Sequence, residues 1–74
     1  MKIIGNWSFR PAATTHGTSY GVYPKGERSE WSRRASLYPA SDGKSYVITM
    51  NNKPLDARPS LEEAMRFVVE QLDA

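Results

Sequence analysis

The chain has 74 residues, ten Lys and Arg against eight Asp and Glu, and no cysteine. At this length we expect one small domain, which buries only about 60% of the surface of its unfolded chain. The absence of cysteine excludes a disulfide framework and a thiolate metal site, and it fits a reducing cytoplasm better than secretion.

Hydropathy gives no sign of a membrane protein. No apolar run approaches the roughly 20 residues of a membrane-spanning helix, and the start at Ile3-Ile4 is too short for a signal peptide. We therefore expect a soluble, cytoplasmic chain. Its charge is uneven, because residues 1–58 hold nine Lys and Arg against four acids and residues 59–74 hold one against four. This asymmetry can steer an anionic partner toward the first part of the chain.

The first strand is predicted over residues 1–10, where Ile3, Trp7 and Phe9 alternate with polar or small residues. Pro11 is expected to end it, since proline cannot donate to a continuing strand ladder. Residues 11–29 are rich in small and turn-forming residues, and they predict a mobile loop region with a short strand over 19–23. A loop of this length in a small domain is mobile or used for binding.

Residues 30–57 predict a three-stranded antiparallel meander. Its strands are expected over 31–38, 46–50 and 53–57. Asp42-Gly43 supplies the first turn, and Asn51-Asn52, which tolerates positive φ, supplies the second. Pro54 would leave a carbonyl without its donor in a central strand, so the third strand is expected at the sheet edge.

A helix over residues 60–72 is predicted from a capping pattern at its start and from an apolar stripe along its length. Ser60 can accept from the amides of the first turn while Glu63 reaches back to the Ser60 amide, which is the pattern of a capping box. Phe67 and Val69 flank an apolar stripe at the 3.6-residue period, formed by Leu61, Ala64, Met65, Val68 and Leu72. Such a stripe must pack on another layer, and the strands before it supply a sheet.

The predicted fold class is therefore α+β: an antiparallel β-sheet of about four strands packed by one C-terminal α-helix. Along a strand, every second side chain points to the same face of the sheet. In each meander strand the more apolar of the two sets should face the helix, and these residues are Ala35, Leu37, Tyr46, Ile48, Met50 and Leu55. Trp31 and Arg33 fall on the same parity at the sheet margin. The opposite face should be polar with one cation, and it comprises Ser32, Arg34, Ser36, Tyr38, Val47 and Thr49.

No residue pattern indicates catalysis, a metal or a cofactor. His16 is the only histidine, and its predicted loop offers no neighbour to orient it as a base. Four of the acids lie on the predicted helix and the others lie in turns or at strand ends, so no cleft with paired carboxylates is implied. We expect a non-enzymatic monomer.

Direct nucleic-acid binding is one hypothesis for its function. A three-stranded antiparallel sheet followed by a helix, over residues 31–72, resembles the arm-binding domains of phage integrases, which lay strands in the major groove. The resemblance implies contacts from the exposed sheet face, and phosphates could be bound by Arg10, Lys25, Arg28, Lys44 and Lys53. Exposed bases could stack on Trp7, Tyr20, Tyr23 and Trp31.

Protein binding is the preferred hypothesis, because aromatic residues and Arg are the usual anchors of interfaces. The chain has two Trp, four Tyr and two Phe among scattered cations, and no catalytic set. The candidate partner-binding residues are Trp7, Phe9, Arg10, Tyr20, Tyr23, Lys25, Arg28, Trp31, Arg33 and Arg34.

In its length, basic pI, lack of cysteine and strand-rich body with one helix, the chain resembles the small accessory proteins that bacteriophages use to bind host machines. The resemblance implies a partner in the cytoplasm of a bacterial host: a complex that handles nucleic acid, with RNA polymerase first and a CRISPR complex as an alternative. It implies regulation of transcription by inhibition or antitermination, with auxiliary contact to the nucleic acid on that machine.

Overall fold

The computed structural model describes residues 2–27 and 29–74, which form one antiparallel sheet with a helix on one of its faces. The six strands lie in the sheet in chain order: β1 (Lys2–Ile4), β2 (Trp7–Thr14), β3 (Gly17–Pro24), β4 (Ala35–Pro39), β5 (Tyr46–Met50) and β6 (Lys53–Arg58). The helix α1 (Leu61–Asp73) follows β6. The α+β class with a C-terminal helix is confirmed, but the sheet has six strands rather than about four.

The predicted first strand is in fact a hairpin of two strands. The chain turns at Gly5-Asn6, with Gly5 at φ 58°, and β1 pairs back on β2. Ile4 lies opposite Trp7, and these two side chains share one face of the sheet. The alternation of apolar residues therefore does not continue through one strand, as the sequence suggested.

The expected loop over 11–29 is mostly strand. β2 continues through Pro11 to Thr14, the chain turns at Thr15-His16, and β3 returns to Pro24. Pro11 does not end β2. Among the described residues the pairing with β1 reaches only Phe9, so no described strand residue lies beside Pro11 on that side. A missing N–H costs no ladder bond at such an edge. The strand predicted over 19–23 is confirmed as part of β3.

The C-terminal half follows the prediction more closely. β5 has the predicted bounds, Asn51 and Asn52 turn at φ 55° and 63°, and β6 lies at the sheet edge. The first meander strand is shorter than predicted, since Glu30–Ser32 form a 3-10 helix and β4 begins only at Ala35. Trp31 therefore lies in the 3-10 helix and not in a strand, so the expectation that it shares the helix-facing side of β4 does not apply.

The helix begins at its predicted cap and packs with its predicted stripe. Ser60 Oγ accepts from the Glu63 amide at 3.2 Å, although the Glu63 carboxylate accepts from the Ser60 hydroxyl, at 3.5 Å, instead of from the Ser60 amide. The core joins stripe residues to side chains of β2, β3, β4 and β5, and it comprises Trp7, Phe9, Val22, Ala35, Leu37, Ile48, Ala64, Met65 and Val68. No helix in the described part of the chain is long and apolar enough to cross a membrane.

Leu55 is the exception to the predicted core, since it is 49% exposed. Ile48 pairs with Asp56 but Thr49 pairs with Pro54, so Leu55 is the extra residue of a β-bulge. The alternation of side chains between the two faces is interrupted there, and the prediction that Leu55 faces the helix fails. The bulge also places Arg58 opposite Tyr46, on the helix side. There the Arg58 guanidinium lies 4.4 Å from the centroid of the Phe67 ring and covers the flank of the stripe.

Candidate binding surface

The sheet face opposite α1, called the outer face below, is where side chains remain available to a partner. Among the described elements, α1 packs on the other face, against β4, β5 and β6. Strand pairing gives the outer face a row of residues running straight across four strands: Arg10, Gly21, Ser36 and Thr49. Three of the four are small, so the row forms a low floor.

Tyr23 lies flat on this floor and is only 3% exposed, although it belongs to the outer face. The Arg10 guanidinium lies 4.1 Å from its ring centroid. A Cβ on Gly21 would stand 2.8 Å from Tyr23 Cε1, which is too close for any other residue type without a shift of the ring. Gly21 is therefore required by the close approach of the ring.

Glu30 joins Tyr23 to the 3-10 helix. The Tyr23 hydroxyl donates to Glu30 Oε1 at 3.0 Å, and Arg33 Nη1 lies 3.7 Å from Glu30 Oε2. Burial of the ring, and next the hydrogen bond to the Glu30 carboxylate, raise the pKa of Tyr23, because both disfavour the phenolate. The segment on both sides of Trp31 is thereby attached to the sheet.

Trp31 itself projects into solvent with 97% of its surface exposed. Its amide donates to Ser29 Oγ at 3.1 Å, and the Arg34 amide donates to the Val22 carbonyl at 2.8 Å. The backbone on both sides of the indole is thus held in place while the side chain has no cover. Such an arrangement is typical of an interface anchor.

Two depressions meet on the outer face. The first has a volume of 330 Å³ and is lined by Trp31, Arg34, Thr49, Asn51 and Asn52 among others. The second, of 210 Å³, lies along Arg10 and Gly21. Glu30, Arg33, Ser36 and Tyr38 line both depressions, so the two adjoin, and together they are called the trough below.

The trough is basic and the helix layer is acidic. Of the charged side chains lining it, Arg10 and Arg33 are cationic, and Glu30 is the single acid among the described residues there. Arg34 also contributes to the lining, but its guanidinium lies 5.9 Å from the centroid of the Trp7 ring, a residue of the core on the helix side. On α1 one cation faces four acids, namely Arg66 against Glu62, Glu63, Glu70 and Asp73. The field of the molecule therefore attracts an anionic partner to the outer face.

The structure brings together only some of the residues predicted to bind a partner. Arg10, Tyr23, Trp31, Arg33 and Arg34 line the trough. Lys25 is exposed in the turn after β3, and its amide donates to the Asn6 carbonyl at 2.7 Å. Arg28 lies outside the described residues.

Burial corrects the remaining predictions. Phe9 is a fully buried core residue, and Trp7 is 8% exposed, so neither belongs to the candidate surface. Trp7 Nε1 instead donates to Asp73 Oδ1 at 2.8 Å, which attaches β2 to the last residue of α1. Tyr20 is half-buried against the core, and it also contributes to the lining of the second depression. The alternation of Trp7 and Phe9 with smaller residues indicated burial on one face of a sheet at least as strongly as it indicated a role in binding.

Sequence reasoning missed the role of Gly21. It placed this residue in the short strand over 19–23, but it did not indicate that the Tyr23 ring packs against it. It placed Ser36, Tyr38 and Thr49 correctly on the outer face through strand parity, and Tyr38 is 41% exposed there. The contribution of the Asn51-Asn52 turn to the lining was not predicted.

The sequence singled out His16 as the one histidine of the chain. His16 lies in the exposed turn between β2 and β3, where its amide donates to Thr14 Oγ1. No group of three His, Asp or Glu in residues 2–27 and 29–74 is placed to hold a metal ion. The surface offers cations, hydroxyls, amides and aromatic rings, which suit recognition.

No family model matches the chain, and neither a curated protein nor a solved structure is significantly similar to it.

Proposed function

We propose that this chain is a non-enzymatic regulator that binds a nucleic-acid-handling complex of a bacterial host, RNA polymerase first among them. It would act in the host cytoplasm and alter transcription by occluding a surface or by locking one conformation. The observation that supports this proposal best is the exposure of Trp31 on a backbone fixed to the sheet.

Trp31 has the properties of an anchor. A large aromatic side chain buries about 150–250 Å², and at about 25 cal/mol per Å² its burial would contribute roughly 4–6 kcal/mol. Little of that is lost to ordering the backbone, since Ser29, Glu30 and Arg34 already hold it. Trp and Arg are also the residues most enriched among interface hot spots.

The class of partner follows from charge and from resemblance. The basic trough favours an acidic surface. The choice of RNA polymerase rests on the likeness in length and composition to small phage accessory proteins, and a CRISPR complex is the second candidate. The Tyr23 hydroxyl lies beside the Glu30 carboxylate, but Tyr23 is only 3% exposed, which is why we propose binding without catalysis.

The test uses the tagged chain, its Trp31→Ala variant and a matched control, Leu55→Ala. Leu55 is also exposed and apolar, but it lies on the edge strand β6, outside the trough. We expect the wild type and L55A to retain the same large complex from bacterial lysate. W31A should lose it, because truncation of a hot spot typically weakens binding by at least about thirtyfold.

Purified RNA polymerase then identifies the partner directly. Titration against labelled chain should give saturable binding that W31A weakens and L55A does not. If the chain retains a different complex and this retention also depends on Trp31, RNA polymerase is not the partner. The role of Trp31 as an anchor would still be supported. Equal retention by W31A and the wild type would contradict the whole proposal.

A further inference from the structure

We propose that the trough on the outer face binds a short stretch of single-stranded nucleic acid, at a site next to the Trp31 anchor. This goes beyond the proposed function, which requires only a protein partner. The site is defined by its floor of Gly21, Ser36 and Thr49, by Arg10 at one end, and by Arg33 and Tyr38 at the two sides.

The dimensions suit a single strand that lies across the β-strands. The row from Arg10 to Thr49 spans four adjacent strands, and at about 4.8 Å between strands it is roughly 14 Å long. At Gly21 the Tyr23 ring takes the space that a side chain would fill, and Ser36 and Thr49 continue the floor with small side chains. The two depressions adjoin at the four residues that line both of them.

The chemistry suits alternating phosphates and bases. Arg33 lines both depressions, and Arg10 supplies a fixed positive charge at one end, where it is already held by the Tyr23 ring and the Glu27 carbonyl. Tyr38 offers a half-exposed ring at one side of the trough, where it lines both depressions. An exposed aromatic ring beside cations is the usual platform for single strands, since every base has a face that can stack.

Other anionic occupants fit less well. A DNA duplex needs an element that projects into a groove, whereas this floor is recessed between the Glu30–Arg33 side and Tyr38. An acidic peptide bound as an added strand needs a free sheet edge, but the backbone of the floor is already paired on both sides. Hydroxyls of Ser36 and Thr49 and the amides of Asn51 and Asn52 instead give side-chain partners for base edges.

The experiment uses the purified chain alone, with labelled oligouridylate and oligothymidylate, and measures fluorescence anisotropy over a salt series. We expect binding with a Kd on the order of 10⁻⁵ M that weakens with salt. Tyr38→Ala should weaken it by about tenfold through loss of stacking. Arg33→Gln should lower the magnitude of the salt slope by about 0.7, and Lys53→Gln, which removes an exposed cation outside the trough, should change neither quantity.

Four results would overturn the proposal: no binding of either oligonucleotide by the wild type, tighter binding of a duplex of the same sequence, competition by polyglutamate at equal charge, or equal effects of R33Q and K53Q. R33Q changes an exposed side chain, so it keeps the test valid if Y38A unfolds. No host complex is present, so failure here leaves the lysate and polymerase results unaffected.

Discussion

The Tyr23 hydroxyl donates to Glu30 Oε1 at 3.0 Å, and this bond connects the sheet to the 3-10 helix that carries Trp31. One partner is a buried ring on β3 and the other is a side chain of the helix itself. The exposed indole therefore sits on a support that begins in the sheet. Loss of this bond should loosen the anchor without removing it.

Tyr23→Phe tests that support. It removes the hydroxyl and should lower the free energy of unfolding by about 1 kcal/mol, the usual net worth of one hydrogen bond. Hydrogen exchange of the Trp31 amide should become faster, because the helix is then held by fewer contacts. Tyr38→Phe removes a hydroxyl from the same face and serves as the control. Equal exchange rates in Y23F and the wild type would show that the bond does not hold the helix.

The raised pKa of Tyr23 predicts a pH dependence of stability. Its ordinary value is 10.0, and the folded value is higher. The unfolded chain therefore loses this proton first, so the stabilisation is complete below about pH 10 and is lost as the pH rises through the folded pKa. Urea unfolding from about pH 8 to about pH 11 should show a fall in stability in wild type that is smaller in Y23F. Parallel curves for the two proteins would contradict the prediction.

Gly21→Ala should be destabilising by about 1–3 kcal/mol, although the residue lies within a strand and has no positive φ. The new Cβ would stand 2.8 Å from the Tyr23 ring, which must tilt away from both Arg10 and Glu30. Thermal or urea unfolding measures the cost. In a Tyr23→Ala background the same substitution should cost much less, since the clash is gone. If Gly21→Ala lowered stability equally in both backgrounds, the loss would come from the backbone at position 21 and not from a clash with the Tyr23 ring.

The Trp7–Asp73 bond predicts opposing effects at the end of α1. Asp73→Ala removes an acceptor for the indole, which should cost about 1 kcal/mol. It also removes a negative charge from the helix C-terminus, where the helix dipole disfavours it, and this should raise the free energy of unfolding by about 0.3–1 kcal/mol. We expect a net loss below about 1 kcal/mol, from urea unfolding. Asp73→Asn removes the charge but keeps an acceptor oxygen, so it should be more stable than D73A; the reverse order would contradict the bond.

The C-terminal half was predictable because its determinants are local. Ser60 and Glu63 mark the start of α1, and Asn51-Asn52 mark the hairpin, within a few residues of the structure they specify. Leu55 shows the limit of that reasoning, since a bulge of one residue reverses parity and leaves no clear mark in the sequence.

The N-terminal half depended on contacts between distant residues. Ile3, Trp7 and Phe9 fit a single alternation, yet the Gly5-Asn6 turn places Ile4 and not Ile3 on the face of Trp7. Pro11 is tolerated in β2 at a position where no described residue of β1 pairs with it. Since these facts follow from strand pairing, the extension of β2 beyond Arg10 was not predicted, nor was its pairing with the short strand predicted over 19–23, which holds Gly21 and Tyr23.

The candidate surface was predicted in part for the same reason. Arg33 and Arg34 were selected as chemistry-bearing residues near Trp31, and they do line the trough. The sequence also contains the Ser29 cap of the 3-10 helix, but the aromatic residue after it favoured a strand. The position of the Tyr23 ring depends on a glycine in its own strand and an arginine in the next, which no local pattern could indicate.

Site-specific photo-crosslinking in bacterial cells tests the role of Trp31 most directly. A photo-reactive phenylalanine analogue is placed at position 31 in one protein and at position 55 in another, since both positions are exposed and lie in different parts of the molecule. We predict crosslinks from position 31 to a subunit of RNA polymerase or of another nucleic-acid-handling complex, and none from position 55. Crosslinks from position 55 alone, or the same products from both positions, would contradict the account.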